Sequence, residues 1–118
     1  MTTTKTTILH NPRCSKSRET LALLQANNAD VTVVEYLKTP PTTAEIHTIL
    51  QQLGLTARQL MRTKEDEYKA QNLADTSLSE AQLIAAMVAT PKLIERPIVL
   101  ANNKAAIGRP PENVLSIL

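Results

Sequence analysis

The sequence predicts an α/β fold, a mixed four-stranded sheet with a helical insertion between strands two and three. Three observations lead to it. A β-branched run, an amphipathic run and a second β-branched run follow one another within the first 36 residues. A long middle stretch from Thr42 carries helical spacing and two helix-start signals. Beyond it, Arg96–Ile107 reads as two short strands around an Asn-Asn turn.

Thr6–His10 is short, apolar and β-branched, the composition of a strand. Pro12 breaks it, and from Ser15 to Ala26 the spacing of Leu21 and Leu24, with Ala22 beside them, suits one helix face. Asn27 to Asp30 closes that helix and Val31–Tyr36 forms the second strand, a right-handed parallel βαβ unit. Pro40-Pro41 marks a break. Thr42 with Glu45 makes a capping box ahead of Ile46, Ile49, Leu50 and Leu53, and Gly54 suits the C-terminal cap. Thr56 to Asp75 is polar with scattered Leu, Met and Tyr, as in short helices. A second box, Ser79 with Gln82, opens a helix through Leu83, Ile84, Met87 and Val88 that Pro91 stops. After the hairpin, Gly108 and Pro110-Pro111 lead into a short final helix with Val114, Leu115 and Leu118.

The 118 residues fit one domain, 1–118, with an aliphatic core, because Phe and Trp are absent and the aromatics are Tyr36 and Tyr68. A net charge of +2 does not itself point to nucleic acid or membrane. One cysteine excludes an internal disulfide and a cysteine-cluster metal site, and His10 and His47 lie too far apart for a recognisable zinc spacing. The N-terminus lacks the apolar core of a signal peptide, and no apolar run approaches membrane-spanning length. These features lead us to expect a cytoplasmic monomer in a reducing compartment, with no bound metal and no tightly bound cofactor.

The lone thiol, Cys14, falls at the turn between the first strand and first helix, in His10-Asn11-Pro12-Arg13-Cys14-Ser15-Lys16-Ser17-Arg18. A helix N-terminus offers unpaired N–H groups and partial positive charge, and neighbouring cations act in the same direction. Both favour the thiolate, the reactive form of the side chain. A cysteine after the first strand and a proline before the third also match the turn order of a thioredoxin-like fold, with Cys14-x-x-Ser17 where a redox motif carries two thiols.

The blocks His10-Asn11-Pro12-x-Cys14-x-x-Ser17-Arg18, Tyr36-Leu37-x-x-Pro40-Pro41, Leu60-Met61-Arg62, Glu95-Arg96-Pro97-Ile98-Val99 and Gly108-Arg109-Pro110 stand in one order along the chain. In them the sequence resembles the glutaredoxin-dependent arsenate reductase (ArsC) family. Ending at Leu118, it is most similar to the short ArsC-like branch. The resemblance implies that Cys14 attacks arsenate, while Arg62, Arg96 and Arg109 hold the oxyanion with bidentate guanidinium forks. It also implies glutathione as external reductant and glutaredoxin as the partner that clears the mixed disulfide. The absence of a second cysteine independently calls for an outside thiol.

By the same resemblance His10 either adds local positive charge or relays a proton; otherwise it is a turn histidine bonded to backbone. Ser17 either donates its hydroxyl to the thiolate or caps the helix. Pro97 stands where the thioredoxin-like fold has a cis proline facing the cysteine, although a trans proline at a strand start is the commoner case. The alternatives are an Spx-like transcriptional regulator that binds RNA polymerase, and a glutathione-linked thiol oxidoreductase with another substrate. Ser17 removes the usual Cys-x-x-Cys switch of the first. A low-molecular-weight phosphatase needs Cys-x5-Arg, and Thr20 stands at that arginine's place. With Gly54 and Gly108 the only glycines, a Gly-rich phosphate loop is absent.

Overall fold

The structure is a computed structural model that describes residues 4–118, and its elements follow the predicted order. β1 (Lys5–Leu9), α1 (Ser15–Ala26) and β2 (Asp30–Val34) come first. α2 (Thr43–Leu53), α3 (Ala57–Leu60), α4 (Asp66–Ala70) and α5 (Glu80–Ala89) follow, with a 3₁₀ turn at Pro91–Leu93. β3 (Ile98–Ala101), β4 (Lys104–Ile107) and a 3₁₀ helix at Pro111–Ile117 complete the chain. The sheet order is β2-β1-β3-β4, with β1 parallel to β2 and antiparallel to β3, and β3 antiparallel to β4. This is a mixed four-stranded, thioredoxin-like α/β arrangement with the helical insertion between β2 and β3.

Two compact units make up the chain. The first runs up to Thr39 and resumes at Arg96–Leu118; the second is Pro40–Glu95. The first holds the sheet and α1. Its core packs Ile8, Leu24, Val99, Ala101, Val114 and Ile117 together. β1 starts and ends one residue earlier than its sequence pattern suggests. β2 stops at Val34 because the Glu35 carbonyl accepts from the Lys38 and Thr39 N–H groups at 2.9 and 3.0 Å, closing a turn. α1 has the predicted bounds, and Asn28 beyond it adopts φ 58°, a left-handed conformation that asparagine tolerates. Its buried stripe differs from the apolar pattern. Ser17, Thr20 and Leu24 face inward, Leu21 is half-buried and Ala22 is exposed. The hairpin turn is the predicted one, with Asn102 and Asn103 at φ 54° and 60°. The Arg96–Pro97 and Arg109–Pro110 peptides are cis.

In the second unit both predicted capping boxes form. Thr42 Oγ1 accepts from the Glu45 N–H at 3.1 Å and Ser79 Oγ from the Gln82 N–H at 3.2 Å, each reciprocated by the Glu or Gln side chain. Gly54 ends α2 at φ 69°. Thr56 and Gln59 make a third box that starts α3. The polar stretch after it is tied down by Arg58, whose guanidinium donates to Tyr68 Oη at 2.7 Å, Leu73 O at 2.7 Å and Asp75 O at 3.0 Å. One cation thus ties the segment together beside the buried Tyr68 and Leu73 side chains.

Candidate active site

The turn after β1 is built by one hydrogen bond to β2 and by others local to the sequence. The His10 N–H donates to Val34 O at 2.8 Å, extending the pairing of β1 with β2 by one step. Asn11 then supplies two acceptors: its Oδ1 takes the Arg13 N–H and its carbonyl takes the Cys14 N–H, both at 3.0 Å. Pro12 occupies the exposed turn between them, donating nothing. Cys14 becomes the residue that caps α1, in extended conformation, with its carbonyl accepting the Arg18 N–H at 3.0 Å. A sulfur therefore stands where capping oxygens usually stand, over the first N–H groups of a helix. Its side chain makes no conventional capping bond. Only 9% of Cys14 is exposed, so the thiol meets small reagents from a restricted side.

Two arginines of the same unit converge on that sulfur. Arg109 Nη2 lies 3.6 Å from Cys14 Sγ, and Arg109 Nε donates to Arg96 O at 2.7 Å, so the second arginine is oriented by the backbone of the first. The Arg96 guanidinium hydrogen-bonds the sulfur. Burial is the largest single influence on Cys14 and pushes its pKa up. The Ser17 N–H, the bond and charge of Arg96, and the Lys16 N–H act the other way and prevail, holding the thiol below its ordinary value. The flanking cations Arg13 and Arg18 are not among these causes. Arg18 instead donates Nη1 to Pro12 O at 3.0 Å and braces the turn.

A depressed folded-state pKa has two consequences. Alkylation of Cys14 followed against pH is expected to show a midpoint below the free-thiol value of about 8.5. A midpoint at or above that value would contradict the site described here. Because the folded state favours the thiolate, its stabilising contribution is full above the unfolded thiol's pKa. That contribution is lost as pH falls through the folded one.

His10 is buried, with Nδ1 2.6 Å from Ser17 Oγ, and the same oxygen accepts the Asn11 N–H at 3.0 Å. Burial lowers its pKa most; Glu35 raises it and Arg18 lowers it, with a net shift below the ordinary value. The shift runs against an added positive charge on His10, whose ring stands within hydrogen-bond distance of the Ser17 hydroxyl. The expected Ser17 hydroxyl-to-thiolate bond is corrected. The hydroxyl is engaged with His10 and Asn11, and Ser17 acts on the sulfur through its backbone N–H.

Arg62 belongs to the second unit. There its N–H donates to Leu93 O at 2.7 Å beside the Met61–Ile94 bridge, and its guanidinium donates to Glu65 Oε1 at 2.9 Å and Glu95 Oε1 at 3.0 Å. Lys92 shares Glu65, at 3.6 Å, and adds Glu67, at 3.1 Å. None of these pairings is legible in the sequence. The buried approach of Thr20 to Gly108 also escapes a sequence reading, although a threonine one turn beyond Ser17 on the same face was a usable sign.

Among the described residues, no group of three or more His, Cys, Asp or Glu is placed to hold a metal ion, and no helix is long and apolar enough to cross a membrane. The ArsC family model matches residues 9–117. The chain is 62% identical to "Uncharacterized protein YfgD" of Escherichia coli K12 over 94% of each protein. It is 50% identical to an arsenate reductase of Neisseria meningitidis, over 94% of this chain and 96% of that one. Its fold superimposes on the solved arsenate reductase of Vibrio cholerae with a TM-score of 0.96 at 52% identity, covering 99% of this chain and 100% of the other. A thiol capping the first helix beneath two arginines, in a chain matched nearly end to end, leaves one assignment: this protein belongs to the ArsC family.

Proposed function

We propose that this protein is an arsenate reductase whose Cys14 thiolate attacks arsenate and whose turnover depends on glutathione and glutaredoxin. The observation that carries the proposal is Cys14 Sγ at a helix N-terminus, with the Arg96 and Arg109 guanidinium groups beside it. Arsenate is a tetrahedral oxyanion, and guanidinium forks suit its paired oxygens while neutralising its charge. Arg62 is the third oxyanion-binding arginine, a role that rests on its Leu60-Met61-Arg62 motif alone.

In the first step the Cys14 thiolate sulfur bonds to arsenic, and one arsenate oxygen leaves as water, carrying off two protons already on the oxyanion. Glutathione then attacks the Cys14 sulfur. The sulfur–arsenic bond breaks, its electron pair reduces arsenic from the pentavalent to the trivalent state, and arsenite departs. Cys14 is left disulfide-bonded to glutathione. A glutaredoxin thiol takes over the glutathione and regenerates Cys14. The chain's single cysteine supports the external route, because no internal thiol is available to resolve the adduct. Such chemistry needs a reducing compartment, which we take to be the cytoplasm.

Steady-state oxidation of glutathione by the purified protein tests this reading. Oxidation should require arsenate and glutaredoxin together. Arsenate-independent oxidation of the same rate would reject the substrate.

A further inference from the structure

We propose that Thr20 is a positioning residue of this site, setting the distance between the α1 terminus that carries Cys14 and the chain that carries Arg109. Its side chain is fully buried, and its hydroxyl donates to Lys16 O at 2.7 Å. That carbonyl belongs to the peptide whose other face is the Ser17 N–H. In a planar trans peptide the two groups point in opposite directions. The same N–H is the leading group that favours the Cys14 thiolate. A hydrogen bond accepted at the carbonyl polarises the peptide and strengthens donation from its N–H. Thr20 thus acts on the sulfur through one intervening peptide.

The other side of Thr20 seats Gly108. Gly108 O lies 3.4 Å from Thr20 Oγ1, and the Gly108 N–H donates to Pro97 O at 2.9 Å. A Cβ on Gly108 would collide with Thr20 Oγ1, and would stand 2.8 Å from Pro97 Cγ and 3.0 Å from Thr20 Cγ2. Real Cβ contacts essentially never come that close, so the backbone approach requires glycine. Gly108 directly precedes Arg109, and Pro97 directly follows Arg96. Both arginines that face the sulfur therefore leave from a junction closed against one threonine of the thiol's own helix.

The test compares Thr20→Val, which keeps the shape and loses the hydroxyl, with Thr20→Ser, which keeps the hydroxyl. Two readouts are taken on folded protein: the pH midpoint of Cys14 alkylation and the KM for arsenate. Thr20→Val should raise the midpoint and increase KM about two- to tenfold, the effect of one lost hydrogen bond. Thr20→Ser should recover most of both losses. A general loss of stability would lower the active fraction, and so apparent kcat, without moving either quantity. Gly108→Ala is the second variant, and it too should raise the midpoint and KM by forcing Thr20 and Gly108 apart. Wild-type midpoints in Thr20→Val or Gly108→Ala, or a Thr20→Ser protein as impaired as Thr20→Val, would overturn the proposal. The KM arm rests on the arsenate reading. The alkylation arm needs no substrate, so a wrong substrate and a wrong role for Thr20 give different results.

Discussion

Replacing Cys14 with serine should abolish the proposed arsenate-dependent turnover and leave the fold intact. Serine preserves the shape of the capping side chain and removes the one atom able to bond arsenic and then carry a disulfide. No other thiol can substitute, so the loss should be total within detection. The effect on stability is small because opposing influences meet at this site. Burial penalises the thiolate, while Arg96 and the Ser17 and Lys16 N–H groups favour it. A change of about 1 kcal/mol or less in unfolding free energy is expected. Measuring turnover and thermal unfolding on the same preparation checks both halves. Near-wild-type activity in Cys14→Ser would remove the basis of the mechanism.

The second large effect is expected at the arginines. Arg96→Ala or Arg109→Ala each removes a charge-assisted bond to the bound oxyanion, worth about 1.5–3 kcal/mol, or roughly ten- to a hundredfold in kcat/KM. Arg96 should show the larger loss, because its bond and charge also lower the Cys14 pKa. Its alanine variant should therefore raise the alkylation midpoint as well. Arg109→Ala additionally frees the Arg96 carbonyl it now ties at 2.7 Å. Lysine should rescue either position only in part, since a point charge cannot fork onto two oxygens. Arg62→Ala requires a separate reading. Glu65 and Glu95 lose a partner there, so its arsenate kinetics must be normalised to folded protein. Normal arsenate kinetics in both the Arg96 and Arg109 variants would refute the cradle.

What could be read from the sequence was what depends on neighbours in the chain. The boxes at Thr42 and Ser79, the glycine cap at Gly54 and the Asn102-Asn103 turn are each decided within about four residues, and each formed as read. The same pattern at Thr56 and Gln59 was equally local, but four helical residues follow it, too few to show periodicity. The buried face of α1 was misread because hydropathy assigns Ser17 and Thr20 to solvent. Their hydroxyls are satisfied inside, by His10 and Asn11 for one and by Lys16 for the other. Cys14, Arg96 and Arg109 are brought together by a sheet that pairs β1 with β3, across more than eighty residues of chain in the case of Arg109. Only the family's motif pattern pointed to that meeting. The downward shift at His10 was not legible at all, because it follows from burial and the charge of Arg18, which together outweigh the opposing charge of Glu35.

The central claim is that one thiol does the chemistry and outside thiols complete it. Intact-mass spectrometry of the protein after successive additions tests this most directly. With arsenate alone, the mass should show at most a Cys14–arsenic adduct, and no arsenite should be released. Adding glutathione should release one equivalent of arsenite and leave one glutathione on Cys14. Adding glutaredoxin should return the unmodified mass and permit repeated turnover. Multiple turnovers supported by thioredoxin in the absence of glutathione would contradict the account, because the adduct would then be resolved by a different reductant.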